Sequence, residues 1–85
     1  MKRVEILQVI NNLLDRKIID VNLSVQSNIL MISLCPAIHY TEFNDSIKQV
    51  VDKLKTGLMA FNEEIVIKLY CSVEDYNKDI NFTVI

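Results

Sequence analysis

The chain has 85 residues, a mass of 9.8 kDa and a formal net charge of −2, so it can hold one domain with a single thin core. Hydrophobic residues make up 51% of the sequence, with one Gly and one Pro, which excludes disordered, collagen-like and loop-rich proteins. The acidic balance and the absence of a basic run argue against nucleic-acid binding, because phosphate contacts require clustered Lys and Arg.

The first predicted element is an amphipathic helix over residues 2–16. Its apolar residues recur three or four positions apart, the spacing of one helical face: Ile6, Leu7, Ile10, Leu13 and Leu14. Polar residues such as Glu5 and Gln8 interrupt the apolar core that a signal peptide needs. The longest apolar runs, residues 29–32 and 58–61, are far too short to span a bilayer. We therefore expect a cytoplasmic protein with no membrane partner.

A β-hairpin is predicted next. Residues 19–25 alternate strictly between apolar and polar side chains, which is typical of a half-buried strand. A polar break over residues 26–28 follows, in which Asn28 tolerates a positive φ. A second strand over residues 29–35 ends at Pro36, which cannot donate a hydrogen bond to a neighbouring strand. The short break predicts that the two strands pair as a hairpin.

Residues 41–61 carry the clearest helical pattern. An apolar stripe runs along five turns: Phe43, Ile47, Val50, Val51, Leu54, Leu58 and Phe61. Thr41 is the predicted N-cap. Gly57 lies on the same stripe, and two interpretations remain open. It either lets the helix approach the sheet closely, or it ends the helix early as a left-handed residue.

Two further strands are predicted over residues 65–73 and 80–85, separated by a polar loop. Within that loop, residues 75–79 match the first five positions of an EF-hand calcium loop. However, Ile80 stands where that loop needs Gly, and the chain ends before the bidentate Glu. We interpret the segment as a hairpin loop and expect no metal.

The element order α-β-β-α-β-β predicts an α+β fold over residues 1–85, with both helices on one face of a four-stranded sheet. The connectivity resembles a circularly permuted ferredoxin-like fold. That resemblance implies the sheet order third, fourth, second, first strand, with the fourth and second strands parallel at the centre. The alternative is a dimer in which each sheet is completed by exchange of a helix-hairpin segment. Topology alone does not imply a function.

The second face of the sheet, turned away from the helices, is the predicted interaction surface. By strand parity it holds Asp20, Asn22, Ser24, Met31, Ser33, Cys35, Val66, Lys68, Tyr70, Ser72, Asn81, Thr83 and Ile85. A fully solvated face would be mostly charged, whereas this one carries Met31, Cys35, Val66, Tyr70 and Ile85. RNA-recognition sheets present aromatic and basic residues on their central strands, and the expected central strands here do not. The composition favours contact with protein.

The loop before the second helix offers a possible ligand site at His39, Tyr40 and Glu42. A Cys-His pair, Cys35 with His39, is the minimum for nucleophilic catalysis. No nearby glycine could form an oxyanion hole, and the chain is too short for a cleft. With one glycine there is also no phosphate-binding loop. We expect neither an enzyme nor a cofactor.

Together these observations predict a small non-enzymatic protein–protein interaction module, which binds and occludes or bridges a partner protein as a homo-oligomer. The alternative is a small regulatory ligand-binding domain. The simplest oligomer is a dimer that packs face to face through Met31, Tyr70 and Ile85, or pairs along the edge formed by residues 19–25. Cys35 and Cys71 are expected on opposite faces of the sheet, which precludes a disulfide between them.

Overall fold

A computed structural model describes residues 3–73 and 76–84, which form two helices and one sheet. The elements in chain order are α1 (Arg3–Leu13), β1 (Ile18–Gln26), β2 (Ile29–Pro36), α2 (Phe43–Leu58), β3 (Ile65–Val73) and β4 (Tyr76–Val84). Short 3₁₀ turns over Tyr40–Glu42 and Met59–Phe61 flank α2. The predicted α+β class and element order are confirmed. None of the described helices is long and apolar enough to cross a membrane.

The sheet has the order β1-β2-β3-β4, with antiparallel hairpins on either side of a parallel β2–β3 pair. The expected order, with the fourth strand between the second and the third, was wrong. The circularly permuted ferredoxin-like arrangement is therefore not formed. Instead, β2, α2 and β3 make a direct crossover between neighbouring parallel strands.

The positions of β3 and β4 follow from their side chains. On β3, Ile65, Ile67 and Leu69 have no exposed surface, as expected for a strand with neighbours on both sides. On β4, Lys78 and Asp79 are exposed and Ile80 keeps 38% of its surface in contact with solvent. Charged residues are the usual protection of an edge strand. The apolar strand consequently lies at the centre and the charged strand at the edge.

One hydrophobic cluster contains residues of both helices and of strands β2, β3 and β4. It contains Ile6, Ile10, Leu14, Leu30, Ile32, Leu34, Phe43, Ile47, Leu54, Leu58, Ile65, Ile67, Leu69, Cys71 and Val84. The strand members all share the parity that the sequence alternation predicts. Complete burial of one such aliphatic side chain stabilises the fold by about 1.5–3 kcal/mol. The described strand residues of the opposite parity do not belong to this cluster. They form the candidate site.

Gly57 lies inside α2, which decides between the two interpretations of this residue. A Cβ atom built on Gly57 would lie 3.0 Å from Leu13 Cδ2 and 3.2 Å from Leu13 Cγ, both closer than ordinary packing allows. The missing side chain thus allows α1, rather than the sheet, to approach α2. The helical run continues through the second 3₁₀ turn and stops at Asn62, whose φ is 51°.

Left-handed residues end α1 and turn the first hairpin. Asp15 and Arg16 have φ values of 52° and 60°. Their amide groups donate to the carbonyl oxygens of Asn12 and Asn11 at 3.3 and 2.7 Å, which is the Schellman pattern at a helix end. Ser27 and Asn28 also have positive φ, as a two-residue type I′ hairpin turn requires. This turn fixes the register between β1 and β2.

A β-bulge interrupts β1 near its start. Ile18 pairs with Pro36 and Asp20 pairs with Cys35, so Ile19 is an extra residue. The Ile19 side chain is 70% exposed. Bulges bend and twist an edge strand and make it a poorer template for another strand. The edge formed by residues 19–25 is therefore protected at one end.

Candidate interaction face

Three rows of side chains cross the sheet on the face opposite the hydrophobic cluster, and we call this surface the open face. Strand pairing, continued by one residue from Leu34 and Leu69, aligns Cys35 with Tyr70. The open face then consists of a first row of Asp20, Cys35, Tyr70 and Asp79, a second row of Asn22, Ser33, Lys68 and Asn81, and a third row of Ser24, Met31, Val66 and Thr83. The predicted parity is confirmed for these residues, and Asp79 was missed. Ile85, predicted here, lies outside the described residues.

The third row has an apolar centre. Met31 and Val66 are register partners on the two central strands, and both are half-buried. Ser24 and Thr83 flank them at the sheet edges and are exposed. The result is a small apolar strip between hydroxyl groups. An apolar centre with a polar rim is the ordinary anatomy of a protein contact surface.

The first and second rows surround an open polar depression of about 480 Å³. Its lining includes Asp20, Ser33, Lys68 and Asp79. The Lys68 Nζ atom lies 3.8 Å from Asp79 Oδ2, with the two side chains 49% and 55% exposed. An ion pair this exposed contributes little to stability. Its effect is to set charges of both signs side by side at one end of the open face.

Tyr70 joins two strands that are not neighbours. Its Oη atom donates to Asp20 Oδ2 at 2.8 Å, from β3 to β1 across β2. The hydrogen bond to Asp20 raises the pKa of Tyr70, and partial burial and the charges of Asp20 and Cys35 act in the same direction. At neutral pH the phenol therefore stays protonated and remains a donor.

Cys35 is covered, although its parity places it on the open face. Its side chain is 7% exposed, yet it does not belong to the hydrophobic cluster. Because Cys35 lies between Asp20 and Tyr70 in the first row, the Tyr70 side chain passes over it to reach Asp20. The thiol also lies 3.9 Å from the Pro36 carbonyl oxygen. Among the predicted interaction residues that the structure describes, Cys35 is thus the one that is buried.

Cys71 lies on the other face, inside the hydrophobic cluster, and is 6% exposed. The two cysteines are not joined by a disulfide. The prediction that they occupy opposite faces is confirmed.

The loop predicted as a possible ligand site contains a 3₁₀ turn over Tyr40–Glu42. His39 is exposed, and its Nδ1 atom lies 2.7 Å from Thr41 Oγ1. The Glu42 amide donates to the His39 carbonyl oxygen at 2.9 Å. These contacts close the turn on itself. The residue before α2 is Glu42, which makes no side-chain cap, so Thr41 does not have the capping position predicted for it.

A second, smaller cavity of about 130 Å³ lies beside this turn. Its described lining comes from α1, α2 and their connections and includes Ile38 and Pro36, but neither His39 nor Glu42. The structure thus places His39 and Glu42 outside this cavity. Among the described residues, no group of three or more His, Cys, Asp or Glu side chains could hold a metal ion.

The expectation that the central strands carry no aromatic or basic residue on this face was wrong, because β3 rather than the fourth strand is central. This position places Lys68 and Tyr70 in the middle of the open face. The described charges of the open face and its depression are nevertheless Asp20, Asp79, Lys68 and Lys78, which make a mixed surface and not a basic one. The Tyr70 hydroxyl is bonded to a carboxylate, which is an unfavourable neighbour for phosphate.

Comparison with protein-family models, curated proteins and solved structures finds no match to this chain.

Proposed function

We propose that this chain is a small non-enzymatic module that binds another protein through the open face, and so occludes or bridges that partner. We place both helices on the opposite side of the sheet, because their buried residues cluster only with the other strand parity. The observation that carries the proposal is the Met31–Val66 pair. It lies in register at the centre of a face that no element in the described ranges covers. Apolar surface of this kind usually marks a contact site.

We further propose that the module is a homo-oligomer, most simply a two-fold dimer through the open face. A two-fold contact uses the same patch on both copies, so Met31 and Val66 of each copy would be covered by the partner copy. The rival geometry pairs β1 edges into a longer sheet. The bulge at Ile19 disfavours that form, which supports face-to-face packing.

Light scattering behind a sizing column tests the dimer. We expect a species of twice the 9.8 kDa chain mass, converted to monomer by Val66→Lys because a buried unpaired charge is costly. Thr56→Lys, at an exposed position on α2, is the matched control and should leave the dimer intact. A wild-type protein that runs as a monomer at every concentration contradicts self-association. A dimer that survives Val66→Lys would instead point to the β1 edge.

A regulatory ligand-binding domain is the second candidate, favoured by the polar depression of about 480 Å³. With Lys68, Asp20 and Asp79 around it, such a site suits a small zwitterion. We expect a free amino acid, if one binds there, to raise the melting temperature by mass action, and Lys68→Ala to abolish that rise. Failure of an amino-acid and dicarboxylate panel to shift the melting temperature would remove this candidate.

A further inference from the structure

We propose that the Tyr70–Asp20 hydrogen bond is a latch, which closes one end of the open face over Cys35 and opens without unfolding of the chain. The bond joins Tyr70 Oη to Asp20 Oδ2 at 2.8 Å. Asp20 is exposed and Tyr70 is only half-buried. Water therefore competes for both groups, and the bond has a small net free energy. A contact of this kind exchanges between closed and open states.

The strand order explains why the Tyr70 side chain covers Cys35. β2 lies between β1 and β3, and Cys35 lies directly between Asp20 and Tyr70 in the first row. The other open-face residues of β2, Met31 and Ser33, keep intermediate exposure, whereas Cys35 is 7% exposed. The low exposure of Cys35 thus occurs at the β2 position that the Tyr70 side chain crosses. Rotation of Tyr70 away from Asp20 would expose the thiol while the strands stay paired.

Cys71 provides an internal comparison. It is 6% exposed, nearly the same as Cys35, but it lies in the hydrophobic cluster beneath the helices. Cys71 belongs to the hydrophobic cluster, and it also borders the polar depression. Opening of the Tyr70–Asp20 bond leaves its cluster contacts in place. The two thiols are therefore buried to nearly the same degree in different surroundings, Cys35 beside Tyr70 in the first row and Cys71 in the hydrophobic cluster.

The latch also bears on partner binding, and this part rests on the proposed function. The first row borders the Met31–Val66 strip through the second row. A partner that competes for the Asp20 carboxylate or the Tyr70 hydroxyl would open the latch and add the Cys35 region to the contact surface. The latch itself does not depend on any partner.

Alkylation of the native protein by iodoacetamide tests the latch. Each thiolate displaces iodide and gains a carbamidomethyl group, and peptide mass spectrometry measures Cys35 and Cys71 in the same sample. We expect Tyr70→Phe and Asp20→Ala each to accelerate labelling of Cys35 by about fivefold to tenfold, with Cys71 unchanged. The double variant should label no faster than either single variant, because both remove the same bond.

Asn22→Ala is the matched control, since Asn22 is the next open-face residue along β1 and lies in the second row. It should leave both labelling rates at their wild-type values. Equal acceleration of Cys35 and Cys71 in the latch variants would assign the effect to unfolding and overturn the proposal. So would an unchanged Cys35 rate in Tyr70→Ala, which removes the covering ring. Neither result depends on whether the open face binds protein.

Discussion

At the scale of single residues, the ionisation of Tyr70 is the most direct probe of the open face. Its raised pKa means that the folded chain keeps this phenol protonated above the ordinary value of 10.0. The stability that the bond contributes is complete below that value and is lost as pH rises through the folded pKa. In a spectroscopic titration, the signal that Tyr70→Phe removes should ionise above the ordinary value of 10.0. Asp20→Asn should move the pKa of Tyr70 back toward that value, and an unchanged titration would contradict the assignment.

Part of this site could be predicted from the sequence. Alternation placed Asp20, Cys35 and Tyr70 on one face, because parity is a local property of each strand. The bond between Asp20 and Tyr70 could not be predicted, because it needs β1 and β3 on either side of β2. The burial of Cys35 was missed for the same reason, since the covering side chain comes from a neighbouring strand.

Asp15 is the second informative residue, because it holds a left-handed conformation with φ of 52° at the end of α1. Asp→Gly at this position removes a Cβ atom that disfavours the conformation, and it removes a negative charge from the negative end of the helix dipole. We expect Asp15→Gly to raise the free energy of unfolding by about 0.5–1 kcal/mol in urea denaturation.

Asp52→Gly is the control for this substitution. Asp52 is an exposed residue in the interior of α2, where glycine weakens the helix. It should lower the stability. If both substitutions changed the free energy of unfolding in the same direction, the left-handed conformation of Asp15 would carry no strain.

At the scale of elements, the contact between the helices depends on Gly57. Ala in place of Gly favours helix by about 1 kcal/mol, but here its Cβ meets the Leu13 side chain. Overpacking costs about 1–3 kcal/mol, so Gly57→Ala should destabilise the protein by about 1 kcal/mol. In a Leu13→Ala background the obstruction is gone, and Gly57→Ala should become stabilising. The absence of this sign change in urea denaturation would contradict the close helix contact.

The strand order could not be predicted from the hydrophobic pattern of the sequence. Both β3 and β4 alternate, and alternation does not say which strand lies at the centre. The difference lies in how much apolar surface each strand offers: β3 buries Ile65, Ile67 and Leu69 completely, whereas Ile80 on β4 is 38% exposed. Weighting strands by the size and completeness of their apolar face would have favoured β3 as the central strand.

The central position of β3 predicts unequal effects for two registered partners, Leu69 and Ile80. Leu69 has no exposed surface, so Leu69→Ala should cost about 2–5 kcal/mol of unfolding free energy. Ile80→Ala at the edge should cost about 1 kcal/mol or less, because part of the side chain is already hydrated. Equal losses in denaturant titrations would contradict an edge position for β4.

At the scale of the whole molecule, the exposed area of 5,670 Å² is close to the roughly 5,200 Å² expected for a folded chain of this mass. A chain this small can bury only a limited share of its surface. If the open face is the dimer contact, thermal stability depends on concentration. We expect the melting temperature to rise with protein concentration and Val66→Lys to remove that dependence. A melting temperature independent of concentration would contradict a dimer that forms in this range.

The parallel β2–β3 pair also determines how the chain folds. Each hairpin closes within neighbouring sequence, and each is preceded by its own helix, so the chain consists of two contiguous halves. The β2–β3 pairing is the step that unites them, and it closes the longest loop between paired strands. Such non-local pairing is slow. We therefore infer that docking of the two halves limits the folding rate. At high concentration, β2 of one chain can pair with β3 of another chain during that step. Residues 37–42 would be the hinge of such an exchange. Exchanged dimers would therefore form during refolding from concentrated solution.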